Sequence, residues 1–134
     1  MPVKPKNRKA NMAGTNSELQ LLAEGPAIIL VEPQLGENIG MVARAMANFG
    51  LAELRLVNPR DGWPSEKARS AASKADHVID RTRVFDTIEE ATADLQFTYA
   101  TTARERYGFK PVRAPVVAAE TLRTKFKSGE KTGI

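Results

Sequence analysis

Two polar side chains stand close together in one stretch, one where a helix starts and one with the right chemistry for gripping an anion. They are Asn38 and Arg44, within Glu37-Asn38-Ile39-Gly40-Met41-Val42-Ala43-Arg44-Ala45-Met46-Ala47-Asn48-Phe49-Gly50. A guanidinium is a permanently charged planar fork of donors that matches phosphate geometry. The free N–H groups of a helix N-terminus suit the same kind of ligand. A plainer account serves equally at this point: Asn38 caps a helix, Arg44 is solvated and Gly50 terminates.

The elements that must position these residues follow from periodicity. Ala27-Ile28-Ile29-Leu30-Val31 is a buried-type strand, followed by a loop of Glu32, Pro33, Gln34, Leu35 and Gly36. Residues 38–49 are then predicted helical, with Asn38 at the N-cap and Gly50 at C′. Ile39, Val42, Ala43, Met46 and Phe49 form its apolar face, expected on the sheet. Gly40, Arg44 and Asn48 share another face. Leu54-Arg55-Leu56-Val57 is a second strand ended by Asn58-Pro59. Residues 65–74 are helical and opened by Ser65. His77-Val78-Ile79 is expected as a short strand. Asp86 is expected to cap a helix through about Leu95. Phe97 to Thr101 is a further strand, and Ala118 to Phe126 a last helix. Ser17 and Gln20 suggest a capping box on an early short helix, stopped by Gly25-Pro26. Alternating strands and helices predict an α/β fold with a mainly parallel sheet. In such sheets ligands bind beyond the carboxyl ends of the strands, where the N-terminus of 38–49 would lie.

Several segments occur together in one order: Val31-Glu32-Pro33-Gln34, Glu37 through Gly50, Leu56-Val57-Asn58-Pro59-Arg60 and Thr101-Thr102-Ala103-Arg104. Over residues 27–134 the chain resembles the SpoU-type RNA 2′-O-ribose methyltransferases, most closely the TrmJ-like branch acting on the tRNA anticodon loop. The resemblance implies the α/β-knot (SPOUT) fold, a homodimer when the full domain is present, and S-adenosylmethionine as cofactor. It implies catalytic roles for Asn38 and Arg44, with Arg44 also contacting RNA. A guanidinium stays protonated in nearly all settings, so its role is positioning and charge stabilisation rather than proton abstraction. The resemblance also implies cofactor contacts from Thr101, Thr102 and Ala103; strand-end turn formation is the plainer role for the threonines. The family's Gly-x-Glu and Ser-Leu-Asn segments would follow Ile134. The chain is therefore expected to be the amino-terminal portion of such an enzyme, with the knot-forming part missing. By itself it is expected to show little or no methyl transfer. A non-catalytic RNA-binding module and an inactive fragment are the alternatives.

Composition agrees with an anionic partner without specifying one. The 134 residues carry a formal net charge of +4, which is mildly basic. Residues 1–16 hold Lys4, Lys6, Arg8 and Lys9 with no acid, and are expected to form a disordered basic arm before a partial domain at 17–134. Arg104, Arg106, Lys110 and Arg113 interleave with Tyr107 and Phe109. That mixture suits RNA phosphates and stacked bases, and Arg104, Arg106 and Lys110 are the RNA-binding candidates. The chain has no cysteine and one histidine, His77. Thiol chemistry is thereby excluded, and no metal site is expected. His77 is expected to be structural, and Trp63 to be a packing plug under a loop. No apolar run approaches a membrane span, so a cytoplasmic protein is the default.

Overall fold

The computed structural model describes residues 25–104, 108 and 110–134. The proposed arm at 1–16, the early helix at Ser17 and Gln20, and Arg106, Tyr107 and Phe109 lie outside the described residues.

The elements in chain order are β1 (Ile28–Val31), α1 (Gly36–Asn48), β2 (Leu54–Val57), α2 (Glu66–Ala72), α3 (Asp76–Arg81), β3 (Arg83–Phe85), α4 (Ile88–Thr92), β4 (Phe97–Thr98), α5 (Pro115–Lys127) and β5 (Thr132–Gly133). Strands β1, β2 and β3 pair in parallel in that spatial order. Strands β4 and β5 form a second parallel pair. The two groups meet at a parallel bridge between Ala27 and Gly133. Three backbone hydrogen bonds hold that junction: Ala27 N to Thr132 O, Ile29 N to Ile134 O, and Ile134 N to Ala27 O. The spatial order across the whole is therefore β3-β2-β1-β5-β4, all parallel, as the alternation of strands and helices predicts.

Strand alternation sorts the two faces. Ile28, Leu30, Leu54 and Leu56 face α1, α2 and α3, and pack with Ile39, Ala43, Met46, Ala68, Ala72, Val78 and Ile79 into one core. Each large aliphatic side chain buried there contributes about 1.5–3 kcal/mol. Trp63, in the loop after β2, packs against the same cluster. Gly50 is the expected C′ residue, with φ 75. The Leu51 N–H donates to Met46 O (2.8 Å) and the Gly50 N–H to Ala47 O (3.2 Å), the paired bonds of a Schellman motif.

Four expectations are corrected. His77-Val78-Ile79 is not a strand but part of α3; Val78 and Ile79 are buried together on one side of it. The strand in this region is β3, beginning two residues after the helix ends. The cap of α4 is Thr87 rather than Asp86: its hydroxyl accepts from Glu90 N, while Asp86 N donates to the Glu90 carboxylate. Phe49 does not join the apolar face of α1. It occupies the C-cap position just before the chain turns at Gly50, and is 85% exposed. Gly40 does not share the solvated face of Arg44. It is buried where α1 crosses α2, and a Cβ there would lie 2.2 Å from Ala68 O.

The opposite face of the sheet carries an arginine. Arg55 is 1% exposed and reaches α4, donating from Nη1 to Ala91 O (2.7 Å) and from Nη2 to Asp94 Oδ2 (2.9 Å). Its Nη2 also meets Glu53 Oε1 at 2.6 Å, and Glu53 in turn pairs with Arg83. Burying a guanidinium is tolerated because its donors are matched to acceptors. The cluster fastens α4 to β2 and so sets the position of β4. The hydrogen bond from Arg55 holds the Asp94 carboxyl down at about 2, below the ordinary 3.8. A depressed acid stabilises the fold above its unfolded value, and that stability is lost as pH falls through the folded value. The window is therefore about pH 4 to 2. Because the Asp94 side chain is 44% exposed, screening reduces the effect to about 1 kcal/mol. Asp94→Asn should flatten the pH dependence of stability across that window in acid titrations followed by circular dichroism. An unchanged slope would contradict the pairing.

Candidate active site

The five strands of the described residues all point the same way, so their carboxyl ends share one edge. The loops at 32–35, 58–65, 86–87 and 99–104 therefore gather there. From β1 the chain moves through α1 to β2 on one side, whereas β5 and β4 lie on the other. The order reverses between β1 and β5, and such a switch point opens the crevice in which open α/β sheets bind ligands. The N-terminus of α1 starts at this place.

Asn38 is at the mouth of the crevice but not at the N-cap. The helix begins two residues earlier, at Gly36, and Leu35 takes the N-cap position with no side-chain cap. The Asn38 N–H donates to Leu35 O at 3.1 Å within the first turn. The early start follows from packing. Gly36 is buried, and a Cβ there would lie 2.5 Å from Ser65 Oγ. Ser65 caps α2 by accepting from Ala68 N at 3.2 Å. Only a glycine lets the first turn of α1 press against that cap. Relieved of capping, the exposed Asn38 amide makes no hydrogen bond to a described residue.

Arg44 is placed differently. It is exposed, as expected, but follows Asn38 by six residues, about 9 Å along the axis and about 120° around it. The two residues do not converge on one point of this chain. Arg44 instead shares the outer face of α1 with Met41, which is 56% exposed, and with Ala45 and Phe49. It makes no ion pair with a described residue.

Thr101, Thr102 and Ala103 are exposed just beyond β4. The strand is shorter than expected. Pairing ends at Thr98, and Tyr99 N adds one more bond to Gly133 O (3.0 Å). The chain then leaves the sheet, and Thr102 Oγ1 accepts from Arg104 N (3.2 Å) to close a small turn. The turn-forming role is thus observed for Thr102, and it coexists with an exposed segment at the carboxyl edge. Two strand spacings, about 10 Å, separate β4 from β1. That spacing would accommodate a nucleoside-sized ligand beside Thr101–Ala103. Arg104, Lys110 and Arg113 are exposed in the connection to α5, which supplies positive charge near that segment.

His77 is no part of this. It is half-buried on α3 with Nδ1 unpartnered among the described residues. Desolvation, aided by Arg81, lowers its pKa. Arg55 and the pairing of Arg60 with Gln34 were not anticipated. An arginine in an otherwise apolar strand, and a second arginine just past the Asn58-Pro59 turn, were the visible signs of them.

The fold and the edge define an open parallel α/β domain that presents a ligand crevice at its switch point. The chain belongs to the SpoU rRNA Methylase family, whose model matches residues 25–126. Among solved structures it is similar to TrmJ from Z. mobilis ZM4, with 56% identity, a TM-score of 0.78, and coverage of 83% of this chain and 48% of that one. The "uncharacterized tRNA/rRNA methyltransferase LasT" of Escherichia coli K12 is 39% identical over 73% of this chain and 42% of its own length. The Pseudomonas aeruginosa protein named "tRNA (cytidine/uridine/adenosine-2′-O-)-methyltransferase TrmJ" is 39% identical over 70% of this chain and 36% of its own length. The chain thus spans less than half the length of these relatives.

Proposed function

We propose that this chain is the substrate-side part of an S-adenosylmethionine-dependent methyltransferase acting on ribose 2′-hydroxyls of tRNA, in the anticodon loop. The observation that carries the reading is convergence. In a chain of this family, Asn38 and the Thr101–Ala103 segment flank the switch point of the described parallel sheet. Relatives named for tRNA 2′-O-methylation support tRNA as the substrate.

The cofactor would supply an electrophilic methyl group. The chain's own residues do the rest. Thr101–Ala103 hold one side of the cofactor through exposed backbone and hydroxyls. Asn38 offers an amide at the helix mouth to orient the ribose. The fixed charge of Arg44 neutralises RNA phosphate and favours negative charge developing on the 2′-oxygen. The hydroxyl proton goes to solvent, because the guanidinium cannot accept one. Arg104, Arg106 and Lys110 attract the RNA backbone.

The geometry of Arg44 also supports a homodimer. Arg44 lies on the outer face of α1, away from its own crevice, beside exposed Met41, Ala45 and Phe49. Pairing two such faces would bury that apolar surface and bring each arginine toward the partner subunit's crevice.

The test joins this chain to the remaining part of the Z. mobilis relative, then supplies labelled S-adenosylmethionine and a tRNA transcript. Mass spectrometry of the digested RNA should show a 2′-O-methylated nucleotide in the anticodon loop. Methylation on a base, or none, would overturn the reading. If the 134-residue chain binds tRNA with a steep salt dependence while the joined protein transfers no methyl group, the RNA-binding alternative takes its place.

A further inference from the structure

The loops after β1 and β2 are locked to each other at the carboxyl edge. The Glu32 N–H donates to Val57 O (2.8 Å) and the Arg60 N–H to Pro33 O (3.1 Å). The Arg60 side chain then donates from Nη1 to Gln34 Oε1 at 2.7 Å. Glu32 and Asn58, the first residues after each strand, have φ 49 and 44. Left-handed backbone at non-glycine residues persists only where the surroundings enforce it. Two loops far apart in sequence therefore form one fixed platform beside the mouth of α1.

What the platform presents is a guanidinium with most of its donors free. Arg60 has five N–H groups, and Gln34 engages one of them. Asp61 stands 3.8 Å from Nε, beyond hydrogen-bond distance, so it offsets the charge without occupying the fork. The side chain is 58% exposed. A neutral amide, unlike a carboxylate, orients the arginine without cancelling its charge. That is the arrangement a phosphate grip requires: a set direction, a fork free of any carboxylate and an open edge. The position is also informative. Strand β2 lies beside β1 on the side away from β5 and β4, so Arg60 and Thr101–Ala103 flank the crevice from opposite sides.

We infer that Arg60, held by Gln34, is a positioning residue that grips a backbone phosphate of the RNA next to the target nucleotide. The inference rests on the RNA-methylation reading and adds to it a direction. The RNA strand passes over the β1–β2 side of the crevice, and the methyl donor occupies the β5–β4 side.

The experiment measures binding of a fluorescently labelled tRNA transcript to the 134-residue chain across a salt series. The unsubstituted protein, Arg60→Ala, Arg60→Lys and Gln34→Ala are compared. Arg60→Ala should weaken binding roughly tenfold and reduce the slope of log affinity against log salt by about 0.7–0.9, one phosphate contact. Arg60→Lys should keep the slope and lose affinity, because charge survives and the fork does not. Gln34→Ala should also keep the slope, with a smaller loss, because only the orientation is released. Thermal melts of all four should coincide, since both side chains are on the surface. Tight, salt-dependent binding by the unsubstituted chain with an unchanged slope in Arg60→Ala would overturn this inference alone. No binding by the unsubstituted chain would overturn the RNA reading and this inference with it.

Discussion

Gly40→Leu should unfold this domain or cost it at least about 3 kcal/mol, a fall in melting temperature of roughly 10 °C. At Gly40 even a single Cβ would stand 2.2 Å from Ala68 O, 2.7 Å from Ala71 Cβ and 2.8 Å from Ala72 N. Two of those three atoms are backbone, so no rotamer change relieves the clash. The helices α1 and α2 would have to separate, and their shared core of Ile39, Ala43, Ala68 and Ala72 would open with them. A domain of this size has roughly 5–15 kcal/mol of total stability, so the loss is a large part of it. Gly62→Ala is the control. Gly62 has φ 76, but nothing lies within 4 Å of the place its Cβ would take, so only backbone strain of about 1 kcal/mol is expected. Calorimetric melts that place the two variants within about 2 °C of each other would refute the close-packing argument.

The same crossing shows where sequence pattern stops being informative. Leu54–Val57 was legible as a strand because its apolar content between two turn signals leaves few options. Ser65 and Gly50 were legible as helix punctuation because caps act through bonds within a few residues. Gly40 was not, because its partner is α2, about thirty residues on, and periodicity alone cannot say which face of a helix meets a second helix. The helix start, two residues before the position that Asn38 suggests, was hidden for a related reason. The start of α1 is set by Gly36 pressing on the Ser65 cap, a tertiary contact. In α3 the adjacent Val78 and Ile79 suggested a strand by their β-branching, yet burial on one helical side prevailed over propensity. Among the described residues strand β3 pairs with β2 alone, and its Val84 is exposed, so it shows little apolar pattern. Of the candidate site, the segments at Asn38, Arg44 and Thr101–Ala103 were legible from motif resemblance. The lateral order β3-β2-β1-β5-β4, which sets Asn38 and Thr101–Ala103 on two sides of one crevice, required the pairing of Ala27 with Gly133.

Arg44→Ala, made in this chain joined to the remainder of the Z. mobilis relative, should lower the turnover number for tRNA methylation by about a hundredfold or more. Tight binding of tRNA should change far less, by roughly threefold to tenfold. The asymmetry follows from what a fixed positive charge can do. Phosphate neutralisation helps the ground state and the transition state alike, and other cations such as Arg104 and Lys110 share that task. Stabilising charge on the 2′-oxygen matters only while the bond to the methyl carbon forms, and loss of a transition-state contact appears in turnover. Arg44→Lys separates charge from shape: a lysine keeps the charge but not the planar fork, so recovery should be partial. The exposed position of Arg44 on α1 means that either substitution should leave the melting temperature unchanged, and a loss of activity cannot then be ascribed to unfolding. The location on the outer face adds a sharper expectation. If each arginine serves the partner subunit's crevice, then mixing Arg44→Ala subunits with subunits disabled at Asn38 should restore activity at one site of two. Mixtures no more active than either parent would place Arg44 in its own crevice and remove the dimer from the mechanism.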